Sequence, residues 1–138
     1  MPTNTRILKY SLLAGAIYFA SVATVHLLGI KLPILFVFFD VPSHAYQDRI
    51  ISFMAFGWSA WLFTTFTDPI KYRTMVKAIL VAGAVAIAEL SLINSTTDFQ
   101  SLSPTIHVEA FWAETFGLFI YWLWLVIFYL RSNLNIGH

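Results

Sequence analysis

Residues 74–95 read TMVKAILVAGAVAIAELSLINS. Between Ala78 and Ile93 the one ionisable side chain is Glu89, in a run otherwise made of small and aliphatic residues. A run this long and apolar reads as a membrane-spanning helix. An ionisable group inside it costs roughly 2.5–3.5 kcal/mol on insertion scales, so by default it marks a functional site. A second segment repeats the pattern. PTIHVEAFWAETFGLFIYWLWLVIFYL, residues 104–130, carries Glu114 well inside its apolar stretch.

The rest of the chain has the same character. It is 138 residues long, 59% apolar and 11% charged, with a mean hydropathy of +0.74. A soluble domain carries about 25% charged residues. This chain could not coat itself with polar groups in water, so lipid is its solvent. Four spans nearly exhaust the length: residues 7–30, 45–67, 69–95 and 104–130. The expected fold is an all-α integral membrane protein, a single domain over residues 1–138 with four transmembrane helices in an antiparallel bundle. No room remains for a soluble catalytic domain. The N-terminal apolar run, Tyr10 to Ile30, is longer than the 7–15 residues of a signal-peptide core, so it is read as a retained first span.

Start and stop signals support these limits. Lys31-Leu32-Pro33 follows span one. Asp68-Pro69 and Ser103-Pro104 each join a capping residue to a proline suited to the first helical position. The connection LPILFVFFDVPSHAYQD, residues 32–48, is unusually apolar. Its stretch before Asp40 is too short to cross a membrane, so an interfacial or re-entrant segment is expected there. The connection NSTTDFQSLSP, residues 94–104, has ordinary loop composition.

Charge sets the topology. Arg6, Lys9, Lys71, Arg73, Lys77 and Arg131 fall at one end of the spans, and only Lys31 and Arg49 at the other. The positive-inside rule then places both termini in the cytoplasm, in the plasma membrane of a bacterium. Tyr10, Tyr46, Tyr72, Trp112 and Tyr129 lie near span ends and suit interfacial anchoring. A net charge of +1 provides no argument for nucleic-acid binding. The absence of cysteine excludes disulfides, thiolate metal sites, a cysteine nucleophile and covalent haem attachment.

The remaining polar residues gather at the outer end: His26, Asp40, His44, Asp48, Arg49, Glu89, Asn94, Asp98, His107, Glu109 and Glu114. Glu89 lies about 16 Å above Ala78, and Glu114 about 12 Å below Ile106, at 1.5 Å per residue. Similar depth on consecutive antiparallel helices suggests that the two carboxyls meet. Ala78, Ala82 and Ala86 share the Glu89 face, and such spacing lets helices approach closely, so that face is expected to point inward. His107, Glu114, Leu118, Tyr121 and Leu125 form one stripe of span four.

Bundles build metal and cofactor sites from carboxylates and histidines on facing helices. The candidate metal ligands are His26, His44, Asp48, Glu89, His107 and Glu114, which would suit Zn, Cu, Fe or Mn. His26 and His107, at comparable depth, are also candidate axial ligands of haem b. Glu89 and Glu114 are the candidate catalytic acid and base. No E-x-x-H or H-E-x-x-H spacing supports these sets. Each residue also has a plainer role: an interhelical hydrogen bond for His26, Glu89 and Glu114, a loop position for His44, a first-turn interfacial place for His107 and Glu109, and an Asp48–Arg49 pair at the start of span two.

Three functions follow: an accessory or binding subunit of a larger membrane complex or homo-oligomer; a protein dependent on a non-haem metal or haem; or a small membrane enzyme acting on a lipid or other apolar substrate. The first leads, because a chain with almost no mass outside the membrane and 17% aromatic residues offers chiefly helix surface. Without inverted repeats or broken helices there is little machinery for transport, and no span carries a central lysine for retinal.

Overall fold

The computed structural model describes residues 2–134. Its helices are α1 (Thr3–Leu28), α2 (Ala45–Thr67), α3 (Arg73–Thr96), the single turn α4 (Phe99–Leu102) and α5 (Val108–Leu134). Four of them, α1, α2, α3 and α5, are long and apolar enough to cross a membrane. They form an all-helical bundle in which α1 packs on α2 and α5, and α3 packs on α5 and α2. We call distal the end that carries the 29–44 loop and α4. Large apolar side chains cover the outside: Ile17 on α1, Phe53 on α2, Val81 on α3 and Phe116 on α5 are 60%, 66%, 65% and 62% exposed. Such a surface is matched to hydrocarbon, not to water.

The helix ends differ from expectation in ways the local chemistry explains. α1 stops at Leu28, two residues early. Gly29 takes a left-handed conformation (φ 67°), and the N–H groups of Gly29 and Ile30 return to the carbonyls of His26 and Val25. Glycine adopts that geometry without steric cost, and the turn satisfies carbonyls left free at the helix end. α3 begins at Arg73 instead of residue 69. Asp68 does cap, but it caps a separate turn: its Oδ1 accepts from the N–H groups of Ile70 and Lys71 at 3.1 and 3.0 Å. α5 begins at Val108 because residues 103–107 form a turn stitched by Ser103 and Thr105 (3.0 Å). The α3–α5 connection also holds α4, capped by Asp98, which the sequence reading took as loop.

Interhelical contacts are polar where they are closest. On α2, Ser52 and Ser59 each donate at 2.8 Å to α1, to the carbonyls of Ala23 and Ala16. Small residues at those positions bring the backbones near enough for this. On the α3–α5 seam, Asn94 donates to Thr115 (3.0 Å) and the Trp122 indole to the Leu80 carbonyl (2.7 Å). Between α1 and α5, Tyr121 and Trp124 both donate to Ser11. At the other end Lys9 donates to the Thr67 carbonyl (3.1 Å), neutralising a free carbonyl at the end of α2.

The apolar core fills the half of the bundle away from the loop, around Leu8, Leu12, Leu62, Val76, Ile79 and Leu125. A second cluster closes the distal end. Phe99, Ile106 and Phe111 are buried there against Phe38 and Phe39 of the 29–44 loop. This explains the composition of that loop. It is a series of turns whose aromatic side chains plug the bundle end.

Candidate functional site

The polar stripe of α2 runs Asp48, Ser52, Ser59 along one face, and all three are buried. The two serines bind α1. Asp48, at the distal end of the stripe, meets His26 in the last turn of α1. His26 is 5% exposed and Asp48 also 5%. Ser43 donates to Asp48 Oδ2 at 3.0 Å, while Asp48 Oδ1 faces His26 Nδ1 at 3.8 Å. That separation is an electrostatic pairing, longer than a hydrogen bond, and neither atom has another partner. Phe36 of the loop stacks on the imidazole at 3.7 Å between ring centres and 22° between planes. The Lys31 ammonium lies 5.2 Å from the other partner in that stack, Phe36.

His26 and Asp48 stand at the distal end of a cavity of about 500 Å³ between the helices. All four spanning helices line it, with Val22 from α1, Trp58 from α2, Ala86 from α3 and Leu118 from α5 among the walls. The lining runs along α2 from Asp48 to Leu62, about 21 Å at the helical rise. Its walls are mostly apolar; His26, Ser43, Gln47 and Asp48 collect at one end, while Tyr18, Tyr121 and Trp122 elsewhere in the lining have their donors bonded to backbone carbonyls. The α2–α3 seam is the thinnest of the four, and Ile51 of α2, on the cavity wall, is exposed. Nδ1 is the ring nitrogen turned towards Asp48, and a neutral imidazole with its proton there keeps Nε2 as a lone-pair acceptor.

Glu114 lies elsewhere. Its Oε1 accepts from the Ile34 N–H at 2.8 Å, and the Tyr18 hydroxyl donates to the Ile34 carbonyl at 2.6 Å. Ile34 has φ 75°, a left-handed conformation that is a real outlier for a β-branched residue. Holding both sides of that residue offsets a strain of roughly 1–3 kcal/mol. Glu114 and Tyr18 therefore pin the loop that covers the site.

Glu89 corrects the expectation of an inward-facing carboxyl. It is exposed and lines neither of the two cavities. α3 turns Val76, Ile79 and Asn94 inward, because Trp122 needs the space over Gly83: a Cβ there would stand 2.9 Å from the indole. Glu89 is about 120° round the helix from Gly83 at 3.6 residues per turn, so it faces out. The Glu89–Glu114 acid–base pair is thus not assembled within the chain.

The other candidates separate as well. His107 is bound to Asp40, Nδ1 to Oδ2 at 2.7 Å, with its side chain 64% exposed. The Asp40 hydrogen bond, and then its negative charge, raise the His107 pKa above the usual histidine value. His26 and His107 therefore have different carboxylate partners, and only His26 lines the cavity, so the two are not placed as axial ligands of one haem. His44 caps the start of α2, where its N–H donates to Gln47 Oε1 (3.3 Å) and its ring stacks on Tyr46. Glu109 is exposed. Among the described residues no three histidine or carboxylate side chains converge as a metal site would require.

The His26–Asp48 partnership was not singled out from the sequence. The signal was present: Asp48, Ser52 and Ser59 share one α2 face at spacings of four and seven, and Ala16 and Ala23 repeat at seven on α1. No protein-family model, curated protein or solved structure matches this chain, so its site chemistry alone carries the functional reading.

Proposed function

We propose that the chain is a membrane-embedded binding protein for a single-chain lipid with a hydroxyl or similar donor head. The observation that carries this is the placement of buried His26, backed by Asp48, at one end of a mostly apolar cavity of about 500 Å³. Ligand sites commonly have this volume and this pattern, an apolar wall with a few converging polar groups. Nε2 would accept from the head, and Asp48 would hold the tautomer. The tail would lie along Val22, Trp58 and Leu118 towards Leu62. The thin α2–α3 seam offers access from the hydrocarbon. The basic residues gathered at the opposite end support placing His26 on the outer side of the membrane.

Exposed Glu89 supports the second part of the reading, that the chain works as a subunit beside another membrane polypeptide. A carboxyl facing hydrocarbon is costly, and a neighbouring helix that donates to it removes the cost.

The test is solvent extraction and mass spectrometry of protein purified gently from its native membrane. One donor-headed lipid per chain is expected, depleted in His26→Ala and absent from Ala86→Phe, which fills the cavity. A lipid retained undiminished in Ala86→Phe would remove the cavity from the proposal.

A further inference from the structure

A second cavity, of about 510 Å³, lies in the seam between α1 and α5. Tyr18, Leu118 and Tyr121 border both cavities and form the wall between them. The second is lined also by Ala14, Gly15, Ile34, Ala113, Glu114 and Gly117. Ala14, Ala113 and Gly117 are exposed, so the cavity opens on the lipid-facing surface.

Its chemistry differs from that of the first. Glu114 is its one ionisable carboxyl, and no lysine, arginine or histidine is in the lining. Oε1 takes the Ile34 N–H, whereas Oε2 is buried and has no partner in the protein. A buried acceptor left unpaired is costly, and a donor from outside would remove that cost. The two tyrosine hydroxyls are already committed, Tyr18 to the Ile34 carbonyl and Tyr121 to the Ser11 carbonyl. With their protons committed, the two hydroxyls remain only as acceptors, and the rings that line the cavity are of a kind that attracts cations. Small exposed residues at 14, 113 and 117 leave the space open, whereas the Tyr121 hydroxyl fills the place a side chain would take at Gly15. A Cβ at Gly117 would meet nothing within 4 Å.

We propose that this seam binds a lipophilic amine, with its ammonium on Glu114 beside the Tyr18 and Tyr121 rings and its apolar body along Ala113 and Gly117. The proposal is independent of the His26 cavity. It needs a ligand of opposite character, a cation instead of a neutral head.

The test is equilibrium dialysis of labelled octylamine against the purified full chain in nanodiscs. Saturable binding of one octylamine per chain is expected, undisplaced by excess octanol. Gly117→Leu, whose Cβ would meet nothing within 4 Å, adds bulk to the seam and should abolish it. Glu114→Gln keeps an oxygen for the Ile34 N–H, and should weaken it about tenfold or more, the worth of one charge-assisted hydrogen bond. Thermal unfolding confirms that each variant is folded. His26→Ala should bind octylamine as the parent does, which separates this seam from the lipid cavity. Displacement by octanol, undiminished binding in Gly117→Leu, or equal affinity in Glu114→Gln would each overturn the proposal.

Discussion

His107 and Asp40 join the two connections at the distal end, and their bond responds to pH. Asp40 accepts from the His107 backbone N–H (3.3 Å) as well as meeting the ring. The folded pKa of His107 is raised, first by the hydrogen bond to Asp40 and then by its charge. A raised histidine pKa means that the folded state favours the protonated ring. The contribution to stability is therefore complete below the ordinary histidine value, about 6.5, and is lost as pH rises through the higher folded value. In an NMR titration, His107 should titrate above the ordinary value, and Asp40→Asn should bring it back down. An unchanged midpoint in Asp40→Asn would show that another group holds the proton. Asp40 was placed at the outer end by sequence, but its partner 67 positions away could be known only once both loops were folded over the bundle.

At the scale of the helices, α3 and α5 show how a single glycine sets a seam. Trp122 lies over Gly83 and donates to the Leu80 carbonyl. The indole is large and tied by its hydrogen bond, so it cannot yield to a new side chain. Gly83→Val should therefore destabilise the bundle by about 1–3 kcal/mol, the usual cost of overpacking, measured by unfolding in mixed micelles. Gly117→Val on the facing helix adds a similar side chain into open space and should be close to neutral. Equal losses in both would point to helix propensity instead of packing. The helices themselves were legible from hydropathy, and α2 runs over the expected residues 45–67. The C-terminal end of α1 and the starts of α3 and α5 moved by two to four residues, because Gly29, Asp68 and Ser103 make turns of their own before or after the regular helix. The one-turn α4 was hidden in a polar stretch with two large apolar residues, of which Phe99 packs inward and Leu102 is exposed.

For the whole molecule, the unpaired groups divide by direction. His26 and Asp48 face the interior, Glu114 faces the α1–α5 seam, and Glu89 faces out. If Glu89 meets a neighbouring polypeptide, Glu89→Leu should change the mass of the assembly seen by native mass spectrometry from nanodiscs. Lipid retained in the His26 cavity should stay the same, because Glu89 does not line it. An assembly of unchanged mass would count against the subunit reading and leave the lipid-binding reading standing.

By itself the sequence determined the number of spans, the solvent they require, the gathering of polar groups at one end and the depth of each along its helix. These follow from hydropathy, helical rise and capping chemistry, which are properties of local segments. The polar stripe of α2 was written in the sequence, but the facing of α3 was decided by tertiary structure alone. A helix that is apolar all round carries no amphipathic stripe to show which side is buried. Close packing decided it instead: serines of α2 reaching α1 carbonyls, Trp122 seated over Gly83, and Asn94 on Thr115. Those contacts turned Glu89 outward, separated it from Glu114, and brought His26 to Asp48.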